Sequence, residues 1–169
     1  LAYALTIDAA VREVWLPGLR AVIDALRTRA SDHRADAMLA HTHGQPATPT
    51  SVGKEFAVFV RRLARITHRI EAAESLGKFN GATGTFAAHL AADPDRDWPA
   101  LSREFVESLG LSWNPLTTQI ESHDWQAELY GSISHANRVL HNLCTDVWAY
   151  ISMGYFTQTP QPGATGSST

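Results

Sequence analysis

From Val52 onward the apolar side chains Val52, Phe56, Phe59, Leu63, Ile66, Ile70 and Ala73 recur in alternating steps of four and three. That spacing is the seam of a helix built to pack lengthwise against other helices. Leu129, Ile133, Ala136, Leu140, Leu143, Val147 and Ile151 obey the same rule. A helix of more than about 25 residues extends roughly 40 Å, and a chain of 169 residues cannot surround two such seams with its own core. The pattern therefore predicts an all-α fold: long heptad-patterned helices of an oligomeric helical bundle, joined by short loops and covered in part by helices of other subunits.

The ends of these helices are marked locally. Thr118-Gln119-Ile120-Glu121 has the form of a capping box and predicts the start of the second heptad helix. A third helix is predicted over much of Ala4 to Ala30, with Val11, Trp15, Leu19, Val22 and Leu26 on one face. Pro17 should start or bend a segment within it. Asn80-Gly81 and Thr83-Gly84 read as turns, and Asp97-Trp98-Pro99 opens a shorter helix carrying Leu101, Phe105, Val106 and Leu109 and closed by Gly110. Residues 157–169 hold almost nothing apolar and are rich in Gly, Ser, Thr and Pro, the composition of a flexible loop. The organisation expected is thus one helical-bundle domain over 1–156 and a loop over 157–169.

Composition narrows the function class. The 14 Lys and Arg against 17 Asp and Glu are scattered, with no basic block to track a phosphate backbone, so no nucleic-acid partner is expected. No run of about 18 apolar residues occurs and the first ten residues lack a secretory pattern, so no membrane association is expected either. The lone Cys144 permits no internal disulfide and suits a reducing cytoplasm. Its place in an apolar helical pattern predicts a small buried hydrophobe.

Chemistry concentrates first in His41-Thr42-His43-Gly44-Gln45-Pro46-Ala47-Thr48-Pro49, a polar connection leading into the first heptad helix. From the residues alone, either histidine reads as a satisfied surface imidazole or as a proton-transfer group. The other histidines, at 33, 68, 89, 123, 135 and 141, show no ligand spacing, so no metal is expected. Gly53-Lys54 is not a phosphate-binding P-loop, because Thr48 stands where that motif needs glycine.

His43-Gly44-Gln45-Pro46-Ala47-Thr48-Pro49 closely resembles the second signature region of the adenylosuccinate lyase family within the fumarase and aspartase superfamily. Fumarases and argininosuccinate lyases differ here, with Leu-Gln after the histidine. Gly77-Lys78-Phe79-Asn80-Gly81-Ala82, Trp113-Asn114-Pro115, Thr117-Thr118-Gln119-Ile120-Glu121 and Gly166-Ser167-Ser168-Thr169 resemble further segments of that family in the same order. The family's flanking domains and the Met-Pro-x-Lys-x-Asn continuation of its serine loop lie outside the chain, so activity is not expected of this portion by itself.

The resemblance implies a C–N lyase that needs no cofactor and releases fumarate from adenylosuccinate and from SAICAR. His43 matches the family's general acid, a role open to imidazole because it both holds and releases a proton near neutrality. Ser167 matches the catalytic base on a loop. Gln119 matches a substrate-contacting glutamine, and Thr42 and Ser168 adjoin the two catalytic positions as further substrate-binding candidates. The resemblance also implies a cytoplasmic homotetramer in which each active site draws on three subunits. A rival within the superfamily is argininosuccinate lyase or fumarase, and a rival of another class is a non-catalytic oligomerisation module.

Overall fold

A computed structural model describes residues 1–164 of the chain. It is mostly helical: α1 (Ala2–Ala9), α2 (Leu16–Asp32), α3 (Val52–Glu71), α4 (Ala87–Ala92), α5 (Trp98–Ser108) and α6 (Asp124–Ser152). The all-α expectation needs correction, because two small sheets are present. An antiparallel pair joins β1 (Ala37–Thr42) to β2 (Gln45–Ser51), and a parallel pair joins β3 (Leu76–Gly77) to β4 (Ser112–Trp113).

The first heptad seam forms as the sequence dictates. Ser51 caps α3 by accepting a hydrogen bond from the Lys54 amide at 3.2 Å, and Phe59, Leu63, Ile66 and Ile70 are all buried. Helix α3 lies between α2 and α6 and packs against each. Leu63, at 0% exposure, marks the centre of the core shared with Leu19, Ile23 and Leu26 of α2 and Leu129, Ala136 and Val139 of α6. Each fully buried side chain of this kind contributes about 1.5–3 kcal/mol relative to exposure.

The N-terminal helix is continuous but not uniform. Residues Ala10–Trp15, between α1 and α2, form a π-helical turn in which the Leu16 amide bonds the Val11 carbonyl. Pro17 follows directly. It has no N–H to offer the preceding turn, and its ring crowds the carbonyl four residues back, which a wider turn relieves. Leu19 and Leu26 are buried as expected, while Leu16 and Ile23 are buried in place of Trp15 and Val22.

The second heptad helix begins later than its apparent capping box. Helix α6 starts at Asp124 after His123, which has a left-handed φ of 63° and makes no side-chain cap; Thr118 to Glu121 lie in the preceding loop. The N-terminal half of α6 supplies Trp125, Leu129, Ala136 and Val139 to the core. Along its C-terminal half the seam is only half-buried, and Trp148 is 72% exposed. Cys144, expected to be buried, is exposed because it falls a turn-fraction beyond Leu143, on the outer face. No helix among the described residues is long and apolar enough to cross a membrane.

Candidate active site

The segment read as a connecting loop is a β-hairpin with His43 at its tip. Thr42 pairs with Gln45, so His43 and Gly44 form a two-residue turn, and both have positive φ, 50° and 73°. Positive φ at both central residues is the requirement of a type I′ turn, met by glycine second and a tolerant polar residue first. Pro46 and Pro49 fit because each strand of a two-stranded ribbon is an edge, with room for residues lacking a ladder N–H. A bulge between Leu39 and His41 adds local irregularity.

Both ends of the hairpin are clamped to the helices. The Val52 amide donates to the Asp36 carbonyl at 3.0 Å and the Gly53 amide to the His33 carbonyl at 2.9 Å. A Cβ at Gly53 would lie 2.3 Å from the Ala30 carbonyl oxygen, so only glycine allows α3 to approach α2 this closely. Met38 is buried, and the Tyr155 hydroxyl donates to the Leu39 carbonyl at 3.1 Å. Phe156 stacks on Phe56 with ring centroids 5.9 Å apart. The chain after α6 is thereby fastened beside the hairpin that carries His43.

The two histidines of the hairpin differ in their surroundings. His41 donates from Nδ1 to the Leu39 carbonyl at 3.2 Å and meets the Tyr155 ring edge-on at 6.2 Å. His43 is exposed at the turn, and among the described residues no side chain bonds its ring. Thr42, beside it, is exposed as well. His43 is the imidazole available to an external group, and His41 is the one engaged by its own strand.

Gln119 is exposed on the loop before α6, not at a helix start. Its neighbours are held firmly. Lys78 donates from Nζ to the carbonyls of Gly81 and Thr118, each at 3.0 Å, and burial pulls its pKa below the ordinary lysine value. Buried Asn80 donates from Nδ2 to the Thr117 hydroxyl at 2.8 Å. Glu121, also buried, accepts from Asn114 Nδ2 at 3.0 Å and from the His123 amide at 2.7 Å. The Glu121 carboxylate that suggested a capping box is thus spent on shaping the loop.

No hydrogen bond among the described residues links the hairpin tip to the Gln119 loop, and Ser167 and Ser168 lie outside the described residues. Lys78, Asn80 and Gly84 entered the sequence reading only as parts of a family-like segment and of two turns, with no role assigned; their signal was a lysine and an asparagine directly before the turns at Gly81 and Gly84. Among the described residues no three His, Cys, Asp or Glu side chains gather as a metal site.

The chain belongs to the lyase family, whose model matches residues 1–169. Its curated relatives are more specific. The chain is 46% identical to the adenylosuccinate lyase of Escherichia coli (strain K12) over 169 residues, covering 100% of this chain and 37% of that one. It is 46% identical to that of Buchnera aphidicola subsp. Schizaphis graminum over 168 residues, 99% of this chain and 37% of the relative. Among solved structures it is similar to a fumarate lyase from Mesorhizobium sp. BNC1, with a TM-score of 0.76 and 26% identity over 89% of this chain and 34% of that chain. The chain spans little more than a third of the length of these relatives.

Proposed function

We propose that the chain is the central helical portion of an adenylosuccinate lyase of purine nucleotide biosynthesis, cytoplasmic and without a cofactor. The enzyme releases fumarate from adenylosuccinate to give AMP and from SAICAR to give AICAR. The observation that carries this reading is the likeness to adenylosuccinate lyases along the entire chain, joined to the exposure of His43 on its turn.

In this reading a base removes the proton from the carbon beside a carboxylate, the C–N bond breaks, and an acid gives a proton to the departing nitrogen. Ser167 is the base and His43 the acid. Thr42, Gln119 and Ser168 hold the succinyl-nucleotide by hydrogen bonds to its oxygens. Residues 1–156 act as the helical-bundle domain and 157–169 as the beginning of the serine loop. Four copies combine their long helices, and each active site takes residues from more than one copy. The exposed apolar side chains of the long helices, Trp148 and Val14 (71% exposed) among them, support that assembly.

His43→Ala in the complete enzyme tests the assignment. Turnover should fall by about 10²-fold or more while adenylosuccinate still binds, because the lost group acts only on the leaving nitrogen. If His41→Ala proved as damaging while His43→Ala kept its activity, the wrong imidazole has been assigned.

A further inference from the structure

Two segments distant in sequence are tied together around Gln119. From one side come Lys78, which bridges the Gly81 and Thr118 carbonyls, and Asn80, only 1% exposed and bonded to the Thr117 hydroxyl. Gly84 completes that side. Its φ is +73°, and a Cβ there would sit 1.8 Å from the Thr117 carbonyl oxygen, so the 81–84 turn abuts the backbone of the loop. From the other side Glu121 fixes the loop's end through Asn114 and the His123 amide. Gln119 and Ile120 are left between two anchored points.

Apolar burial does not hold this loop in place. Leu116 and Ile120, its large hydrophobic side chains, are both exposed, so its conformation depends on the polar clamp. Lys78 is the central member, because one ammonium group satisfies carbonyls on both segments at once and carries charge-assisted bonds, stronger than neutral ones.

We infer that Lys78 is a positioning residue for Gln119: by fastening the Thr118 carbonyl to the 78–84 turn, it presents the glutamine amide to the succinyl-nucleotide, with Asn80 and Gly84 as supports. The inference rests on the reading of Gln119 as a substrate contact. Lys78 makes no contact with substrate in this account and acts only through the loop.

Two measurements test it separately. Amide hydrogen exchange in Lys78→Met should accelerate about tenfold or more at residues 116–120, with the loss of two charge-assisted bonds, while α3 and α6 keep the wild-type pattern and so report an intact fold. Thr117→Val, which removes Asn80's acceptor, should loosen the same residues. Unchanged exchange at 116–120 in both variants would overturn the clamp. In the complete enzyme, Lys78→Met should raise KM for adenylosuccinate about tenfold with kcat within about threefold of wild type. In a Gln119→Ala background the same substitution should raise KM by no more than about twofold, because residues acting as one unit are non-additive. A tenfold rise in both backgrounds, or a loss of kcat at constant KM, overturns the positioning role. A wild-type KM in Gln119→Ala alone would instead overturn the reading of Gln119 beneath it, a result the exchange measurement tells apart from failure of the clamp.

Discussion

His43 stands in a backbone conformation that most residues avoid. A left-handed residue other than glycine costs roughly 1–2 kcal/mol, and here the cost is offset by the strand pairing that a I′ turn makes possible. The result is an imidazole lifted clear of its own strand. Tyr150 shows the opposite environment. It lies between α6 and α3, its hydroxyl 3.5 Å from Glu55 Oε2 as donor. Burial first, then the negative charges of Glu55 and Asp146, push its pKa up to about 12. The folded phenol therefore keeps its proton to about pH 12, whereas an unfolded one releases it near the ordinary tyrosine value of 10.0. Between those values the native state binds more protons, so stability is intact below about pH 10 and falls as pH rises toward 12. Tyr130, also raised, adds to the same fall. Thermal midpoints followed by circular dichroism across that range should drop less steeply in Tyr150→Phe, and an identical slope would show that this phenol does not couple to folding.

At the scale of elements, legibility followed how each segment uses its side chains. Helix α3 was readable because its periodicity, its Ser51 cap and its burial all express one face of one helix. Helix α5 was readable for the same reason: Asp97 caps it through the Ala100 amide at 3.0 Å and Gly110, with φ of +81°, follows its end. The hairpin was hidden because Pro46 and Pro49 argue against central strands, and only a free-standing ribbon makes them harmless. His-Gly between threonine-bearing arms was the available turn signal. The start of α6 was misplaced because Thr118 and Glu121 have capping-box spacing, yet Glu121 bonds Asn114 and the amide of His123, the residue before α6, rather than reaching back to Thr118. The N-terminal helix was read with the right extent and with Leu19 and Leu26 on its buried face, but Leu16 and Ile23 stand in for Trp15 and Val22, since a π turn beside Pro17 breaks the 3.6-residue count. Of the candidate site, the sequence pointed to the His43 segment, read as a loop and found as a hairpin turn, and to Gln119, read at a helix start and found on the loop before α6. The Lys78 clamp depends on a contact between residues forty apart, which no local pattern encodes.

At the scale of the whole molecule, the chain's own core covers the inner faces of α2, α3 and the first half of α6 and leaves the outer faces open. Val14 in the π turn and Trp148 in the second half of α6 are likewise large and mostly exposed. Stable monomers rarely leave such stripes in water, so light scattering at micromolar concentration should give the mass of four copies of the 18.5 kDa chain; a clean monomer would contradict the bundle assembly. The adenylosuccinate lyase activity proposed above belongs to a protein of its relatives' full length, of which this chain matches little more than a third. Fumarate release by the complete protein, measured side by side on adenylosuccinate and argininosuccinate, tests that claim most directly. Rapid release from adenylosuccinate and none above background from argininosuccinate is expected; the reverse preference, or no release from either, would contradict adenylosuccinate lyase activity.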